Sequence, residues 1–191
     1  MLKLIEYSDD LNLDEFYRNA LIRGYYNNSS KSIMVDSLKS DWDYKVWILY
    51  NGEQAIGATA AHSLDIIPNS YRICARTCLF TDLMPSHRNL RTLNNIREHQ
   101  HITAQYYIPQ CVEYCPVECD LYITSHPSEI ASQKLVHDIF CPILEDKGCL
   151  EKTHELMYRG HLQTFWKLNK VEFMKQLQQY PRWSASFYNQ Q

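Results

Sequence analysis

The run from Tyr44 to Tyr50 and the Asn51-Gly52 pair directly after it constrain the fold more than any other part of the chain. The run, YKVWILY, is rich in β-branched and aromatic residues, which favour a strand. Asn-Gly tolerates the positive φ of a type I′ turn, so the pair predicts a two-residue hairpin. The return strand is predicted from Glu53 to His62, and a third strand from Tyr71 to Phe80. Together these residues predict a three-stranded antiparallel meander.

Two helices are predicted before the meander. The first begins at a cap formed by Asn12 or Asp14 and carries an apolar face at helical spacing. That face consists of Leu13, Phe16, Tyr17, Ala20 and Leu21. A second, shorter helix starts at Ser29 or Ser30 and runs past Leu38.

After the meander, helices and strands alternate. The stretch from Asp82 to Gln105 is polar without clear periodicity and predicts a loop. A helix follows and ends at Pro116; its apolar face consists of Ile108, Cys111, Val112 and Cys115. The remaining predicted elements are a strand over Asp120–Ser125, a helix from Ser128 towards Pro142, and strands over Glu151–Tyr158 and Leu162–Leu168. This order predicts a single α/β (α+β) domain.

Charge and composition exclude several classes of protein. The 191 residues include 19 lysines and arginines against 22 aspartates and glutamates, a net charge of −3, whereas nucleic-acid-binding proteins are usually strongly basic. The longest apolar runs are only a few residues, too short to span a membrane. Met1–Glu6 lacks the apolar core of a signal peptide, so the seven cysteines are expected to be reduced thiols in a cytoplasm.

Taken with a first strand from Met1 to Tyr7, this order of elements resembles the GNAT fold of N-acetyltransferases. The local features that carry the resemblance are the Asn51-Gly52 hairpin, the Ile56-Gly57 pair in the return strand, and the third strand of the meander leading into a polar stretch. The resemblance implies a single-domain mixed sheet with helices on both faces over residues 1–169. Residues 170–191 are then a C-terminal tail extension.

The resemblance also implies a binding site for acetyl-CoA. In the family, an Arg/Gln-x-x-Gly-x-Gly/Ala loop binds the pyrophosphate through backbone amides at the start of a helix. Arg88 fits the first position, but Leu90, Arg91 and Thr92 replace the small residues, so arginine side chains are expected to contribute. The implied cofactor-binding residues are Leu79, Phe80, Thr81, Arg88, Asn89, Leu90, Arg91, Thr92 and Ser125.

Catalytic residues follow from the same resemblance. Asp82 and His126 each come at the end of a strand that lines the family's cleft, and each is a candidate base. The family's acid is often a tyrosine on the helix that here spans residues 128–146, which contains no tyrosine. Tyr158, or a water molecule, is expected to take that role.

Transfer of an acetyl group from acetyl-CoA to an amine is the activity that the resemblance implies, with the amine or protein acceptor open. The helix Tyr107–Cys115 and the strand Leu121–Ser125 more narrowly resemble GNAT-like proteins of bacteriophages, which would act in a host cytoplasm. The alternative is a catalytically inactive GNAT-like interaction protein, acting on a host protein if the chain is viral. Modification of nucleic acid is disfavoured by the net charge.

Two further sequence features concern association and metal. An apolar stripe in the tail, formed by Val171, Phe173, Met174 and Leu177, predicts packing on the domain or on a second subunit of a homodimer. Cys111, Cys115 and Cys119 are spaced four apart, which is compatible with zinc. However, the first two lie on the apolar face of a predicted helix, which favours buried thiols, and no metal is predicted.

Overall fold

Seven strands form one mixed sheet in this computed structural model, which describes residues 2–22, 43–77, 101–127 and 136–179. The strands are β1 (Leu2–Glu6), β2 (Tyr44–Asn51), β3 (Gln54–Ser63), β4 (Ser70–Thr77), β5 (Asp120–Ser125), β6 (Leu150–Tyr158) and β7 (His161–Leu168). Their order is β1-β2-β3-β4-β5-β7-β6, and β4 runs parallel to β5 while the other neighbours are antiparallel. The predicted α/β class and the predicted meander are confirmed.

Both tight hairpins use residues with positive φ at the turn. Between β2 and β3, Gly52 has φ +62°, but Asn51 remains in the strand and the turn lies one residue later than predicted. The predicted type I′ turn is therefore wrong there. A bulge beside Leu49/Tyr50 places one extra residue in β3, so the two strands pair in a different register from the one that the predicted turn requires. Two successive residues with positive φ instead connect β6 to β7, at Arg159 (φ 50°) and Gly160 (φ 81°).

Four α-helices accompany the sheet in the described part of the chain: α1 (Asp14–Ile22), α2 (Ile108–Tyr114), α3 (Cys141–Asp146) and α4 (Lys170–Gln179). Of the two predicted capping residues of α1, Asn12 caps the helix. Its Oδ1 accepts a hydrogen bond from the backbone N–H of Asp14 at 3.1 Å. None of the described helices is both long and apolar enough to cross a membrane. The predicted helix over 29–38 and residues 78–80 of the predicted third strand lie outside the described residues.

Short π-helical segments, Thr103–Tyr107 and Val136–Phe140, lead into α2 and α3. Each is followed by a proline in the first turn of the α-helix, Pro109 or Pro142. Proline has no N–H to donate and its ring clashes with the preceding turn, so a locally wider turn accommodates it. The predicted loop is therefore wrong from residue 101 onward, and the helix predicted to end towards Pro142 continues to Asp146.

Apolar side chains fill both faces of the sheet. On one face α1 packs against β2 and β3, in a cluster that includes Leu13, Phe16, Val46, Ile48 and Ala60. On the other face α2, α3 and α4 share one core, which includes Trp47, Ile73, Ile108, Leu144 and Phe173. Helices thus cover both faces, as predicted, and the sheet is fixed between them.

The last of these helices joins the larger core. Phe173 is fully buried, and Met174 and Leu177 pack against the same cluster, whereas Val171 points away and is 80% exposed. The predicted apolar stripe of the tail is therefore satisfied within the chain over residues 170–179, apart from Val171.

We expect Phe173→Ala to lower the free energy of unfolding by about 3–5 kcal/mol, the usual cost of deleting a buried phenylalanine ring. Val171→Ala, on the same helix, should change it by less than about 0.5 kcal/mol because that side chain is exposed. Urea unfolding followed by circular dichroism measures both. Two equally small losses would show that α4 contributes nothing to the core.

Asp43, just before β2, ties this strand to two other elements. Its Oδ1 accepts a hydrogen bond from the Tyr114 hydroxyl of α2, and its Oδ2 accepts one from the Tyr71 hydroxyl of β4. These bonds, first that from Tyr114, hold the pKa of the Asp43 carboxyl below its ordinary value of 3.8. Burial and the nearby carboxylate raise the pKa of both phenols, which therefore remain donors.

Because the pKa of Asp43 is lower in the folded protein, its contribution to stability is present above pH 3.8 and is lost as the pH falls through the folded value. We expect Asp43→Asn to cost about 1 kcal/mol at neutral pH, a modest amount because solvent screens this exposed group. The variant should also lose less stability than the wild type on acidification. The exposed Asp146 of α3 provides the control, as Asp146→Asn. Identical acid unfolding of wild type and Asp43→Asn would contradict the role of Asp43.

Candidate functional site

The parallel pair β4 and β5 separates partway along its length. Ser70–Ile73 pairs with Asp120–Ile123, and the pairing stops there although β4 continues to Thr77 and β5 to Ser125. Beyond that point β4 remains paired with β3, and β5 with β7. Within the described part of the chain, residues 74–77 and 124–125 therefore have no strand partner across the gap, which we call the wedge. Strand edges that lack a partner can hydrogen-bond an extended ligand.

Ser125, a predicted cofactor-binding residue, lies at the end of β5 in the wedge. Its Oγ accepts a hydrogen bond from the Trp166 indole N–H at 2.8 Å and lies 3.0 Å from His137 Nδ1. The side chain of Ser125 is buried, whereas His137 is half-buried on the π-helical segment before α3. Because the indole N–H can only donate, Trp166 cannot take the Ser125 hydroxyl proton, whereas His137 Nδ1 can donate to or accept from this hydroxyl according to its tautomer.

His126, the predicted base, follows Ser125 directly and is partly exposed. Its Nδ1 lies 2.9 Å from the carbonyl oxygen of Pro127, and since a carbonyl only accepts, Nδ1 carries the proton in the neutral ring. This leaves Nε2 as the nitrogen able to take a proton. The ring stacks on His161 at 5.5 Å between centroids and 7° between planes.

Tyr158, the predicted substitute acid, ends β6 and is mostly buried. Two guanidinium groups lie over its ring, that of Arg72 at 5.1 Å and that of Arg159 at 5.4 Å from the centroid. Arg72 Nε in turn donates to Thr124 Oγ1 at 2.7 Å, which joins β4 to β5 by side chains where their backbone pairing ends. Tyr158 is thus linked to the wedge through Arg72.

The structure brings Ser125 and His126 together at the wedge, with Tyr158 connected to it by the Arg72–Thr124 hydrogen bond. The other predicted site residues lie outside the described part of the chain: Leu79, Phe80, Thr81, Asp82, Arg88, Asn89, Leu90, Arg91 and Thr92. His137 and Trp166 were not predicted. His137 could have been proposed from the sequence. It is a titratable side chain in the predicted helix over residues 128–146, which lacks the family's tyrosine.

Five of the six cysteines in the described segments are buried, and Cys119 is partly exposed. Cys111 and Cys115 are buried in the helix core as predicted, and burial raises the pKa of both. Burial likewise raises the pKa of Cys141, so this thiol stays protonated. It lies beside the Ser125 hydroxyl. Within residues 2–22, 43–77, 101–127 and 136–179, no three His, Cys, Asp or Glu side chains are grouped as metal ligands.

No protein-family model and no curated protein matches the sequence, whereas solved structures match the fold. A protein assigned as a GNAT-family acetyltransferase from Desulfovibrio desulfuricans superposes with a TM-score of 0.53 at 9% identity, over 89% of this chain and 99% of that one. An acyl-CoA N-acyltransferase from Pseudomonas aeruginosa gives 0.48 at 13% identity, over 88% and 99%. Spermidine N-acetyltransferase from Vibrio cholerae, in complex with CoA and spermine, gives 0.48 at 11% identity, over 91% and 98%.

The match to the Desulfovibrio protein covers 89% of this chain and 99% of that one, so it is not confined to one supersecondary unit. At 9% identity, this match shows a similar fold and gives no evidence about the chemistry. The chain has the fold of the GNAT acetyltransferases.

Proposed function

We propose that this chain transfers an acyl group from an acyl-CoA thioester, with acetyl-CoA as the first candidate, to an amine. The observation that carries the proposal is the wedge, where two parallel strands lose their pairing beside polar and titratable side chains. The GNAT fold supports the proposal, since the Desulfovibrio protein, which superposes with a TM-score of 0.53, is assigned as an acetyltransferase. We further propose a cytoplasmic location, in line with the reduced thiols expected from the sequence.

The wedge suits the pantetheine arm of CoA for a physical reason. The arm is extended and carries two amide groups, and unpaired strand edges offer N–H donors and C=O acceptors at regular spacing. The backbone edges of 74–77 and 124–125 and the Ser125 hydroxyl are the groups that would hold it. The bound thioester supplies an electrophilic acyl carbon and a thiolate leaving group.

His126 is the base that fits the chemistry. An attacking amine must lose a proton, and His126 has a ring nitrogen, Nε2, free to accept one when the ring is neutral. Its partial exposure at the end of β5 allows the proton to pass on to solvent. Asp82 remains an alternative base from the sequence.

Ser125 and His137 are the groups we propose for protonating the leaving thiolate. The Ser125 hydroxyl can give its proton to the sulfur and regain one from His137, 3.0 Å away. Trp166 fixes the position of the Ser125 oxygen through its indole N–H. Tyr158 is the second candidate acid, although its ring lies against Arg72 and Arg159.

A specific observation favours the alternative function, an inactive GNAT-like interaction protein. The sequence window that matches the pyrophosphate loop lacks both small residues, with Leu90, Arg91 and Thr92 in their place. The proposed enzyme must then hold the pyrophosphate with Arg88 and Arg91 side chains. The narrower resemblance to bacteriophage proteins stays a prediction.

Isothermal titration calorimetry of the purified chain with acetyl-CoA tests the proposal, because every enzymatic version requires binding. We expect saturable binding with one site per chain, and release of free CoA once a panel of primary amines is added. Desulfo-CoA, which lacks the thiol, is the control for binding through the nucleotide and pantetheine alone. No heat of binding even at millimolar acetyl-CoA would leave the inactive interaction protein as the better account.

A further inference from the structure

A second group of reactive side chains lies on β3 and β4, on the sheet face that α1 covers. Cys74 Sγ lies 3.4 Å from His62 Nε2 and 3.0 Å from Arg72 Nη1, which donates to the sulfur. His62 is fully buried, and Cys74 is 6% exposed. A thiol, an imidazole and a guanidinium thus meet at Cys74, a member of the apolar cluster that packs against α1.

The hydrogen bonds of His62 fix which nitrogen can act as a base. Its Nδ1 lies 3.0 Å from the carbonyl oxygen of Ser63, which can only accept, so Nδ1 bears the proton in the neutral ring. Nε2 is then the unprotonated nitrogen, and it faces the Cys74 sulfur. A nucleophile, a base and a third group that orients the base form the arrangement by which enzymes activate thiols.

Arg72 adds a fixed positive charge to this arrangement. Its Nε donates to Thr124 of β5, and its plane lies over the Tyr158 ring, so the guanidinium is held from two sides. A cation beside a thiol favours the thiolate, which is the nucleophilic form.

Cys74 also lies where a thioester would arrive. It is the first residue of β4 beyond the last pair with β5, at the narrow end of the wedge. Position and activation therefore coincide in one residue.

We infer that Cys74 is a nucleophile that accepts the acyl group, so that transfer runs through an acylated enzyme; this inference rests on the proposed function. The thiol proton passes to His62 Nε2, the sulfur attacks the acyl carbon, and the carbon–sulfur bond to CoA breaks. CoA leaves with the electron pair and takes a proton from Ser125, which regains one from His137. One thioester replaces another without oxidation or reduction. The amine then attacks the acyl carbon and loses a proton to His126, the bond to Cys74 breaks, and the proton held by His62 restores the thiol.

The test is mass spectrometry of the wild-type chain, intact and after proteolytic digestion, following brief incubation with an acyl donor and no amine. Two donors are used: acetyl-CoA, and p-nitrophenyl acetate, which does not need a CoA site. We expect the mass of one acetyl group on the peptide that contains Cys74, removable by neutral hydroxylamine as a thioester is.

Variants assign the roles. His62→Gln keeps a polar side chain but cannot act as a base, and should slow acetylation of Cys74 by about a hundredfold or more. Cys119→Ser, at the partly exposed thiol before β5, should leave acetylation unchanged. Cys74→Ser should abolish the hydroxylamine-labile label. If that variant does not fold, the label on the wild-type peptide that contains Cys74 still tests the inference.

The outcomes separate this inference from the proposed function. Labelling of Cys74 by p-nitrophenyl acetate but not by acetyl-CoA supports the nucleophile and counts against CoA as the donor. Calorimetric binding of acetyl-CoA with no label at Cys74 from either donor overturns the inference and leaves the proposed function in place. A label that survives in His62→Gln at the wild-type rate overturns the role of His62 and, with it, the activated thiol.

Discussion

Replacing His126 with glutamine should lower kcat for acetyl transfer by about a hundredfold or more while the Kd for acetyl-CoA stays unchanged. Glutamine keeps the polarity and approximate size of the side chain but has no basic nitrogen, so only proton removal from the amine is lost. His126 qualifies because its Nδ1 is engaged by the Pro127 carbonyl and its Nε2 is left as the basic atom. Steady-state kinetics with saturating amine, together with calorimetry, separate the two effects.

His154→Gln is the matched control for this prediction. His154 is an exposed histidine on β6, and its ring contacts Tyr122 rather than any residue that we place at the wedge. We expect kcat of this variant to remain within about twofold of the wild-type value. A full loss of activity in His154→Gln, or full activity in His126→Gln, would contradict the assignment of His126 as base.

The double change Arg88→Ala with Arg91→Ala should weaken acetyl-CoA binding by roughly a hundredfold to ten-thousandfold. Each arginine is expected to make one charge-assisted hydrogen bond to pyrophosphate, and each such bond contributes about 1.5–3 kcal/mol. The single changes should each cost roughly tenfold to a hundredfold. Rising salt should reduce the wild-type affinity more than that of the double variant, because salt screens these charges. Calorimetry at two salt concentrations measures both effects.

Arg18→Ala provides the control for a general loss of positive charge. Arg18 is an exposed residue of α1, and nothing in the sequence relates it to the pyrophosphate loop. Its removal should leave the affinity unchanged. Wild-type affinity in the Arg88/Arg91 double variant would keep the enzyme but move the pyrophosphate site to other residues.

Local features of the fold were predictable from the sequence. Tyr44–Tyr50 followed by Asn51-Gly52 predicts a hairpin because the signal lies within about ten neighbouring residues. The turn itself was misplaced by one residue, since a bulge depends on how two strands pair and not on either strand alone. The helical conformation from residue 101 onward was missed because polar residues surround the few buried side chains, Ile102 and Ala104 among them.

The site was less predictable because its contacts join distant parts of the chain. Ser125 and His126 could be proposed from their place at the end of a strand, but the partner Trp166 is 41 residues from Ser125. Cys74 and His62 are neighbours only because β3 and β4 pair in one particular register. A sequence pattern reports periodicity along one element, whereas such contacts depend on the packing of the whole sheet.

The central claim is that an acyl-CoA thioester binds in the wedge, and hydrogen–deuterium exchange with and without acetyl-CoA tests it most directly. Among the described residues, the backbone amides of 74–77 and 124–125 that face the wedge have no partner strand, so a bound pantetheine arm should slow their exchange by about tenfold or more. The amides of β1, at the far edge of the sheet, should exchange at the same rate with or without acetyl-CoA. Acetyl-CoA binding that protects other segments and leaves 74–77 and 124–125 unchanged would contradict the claim.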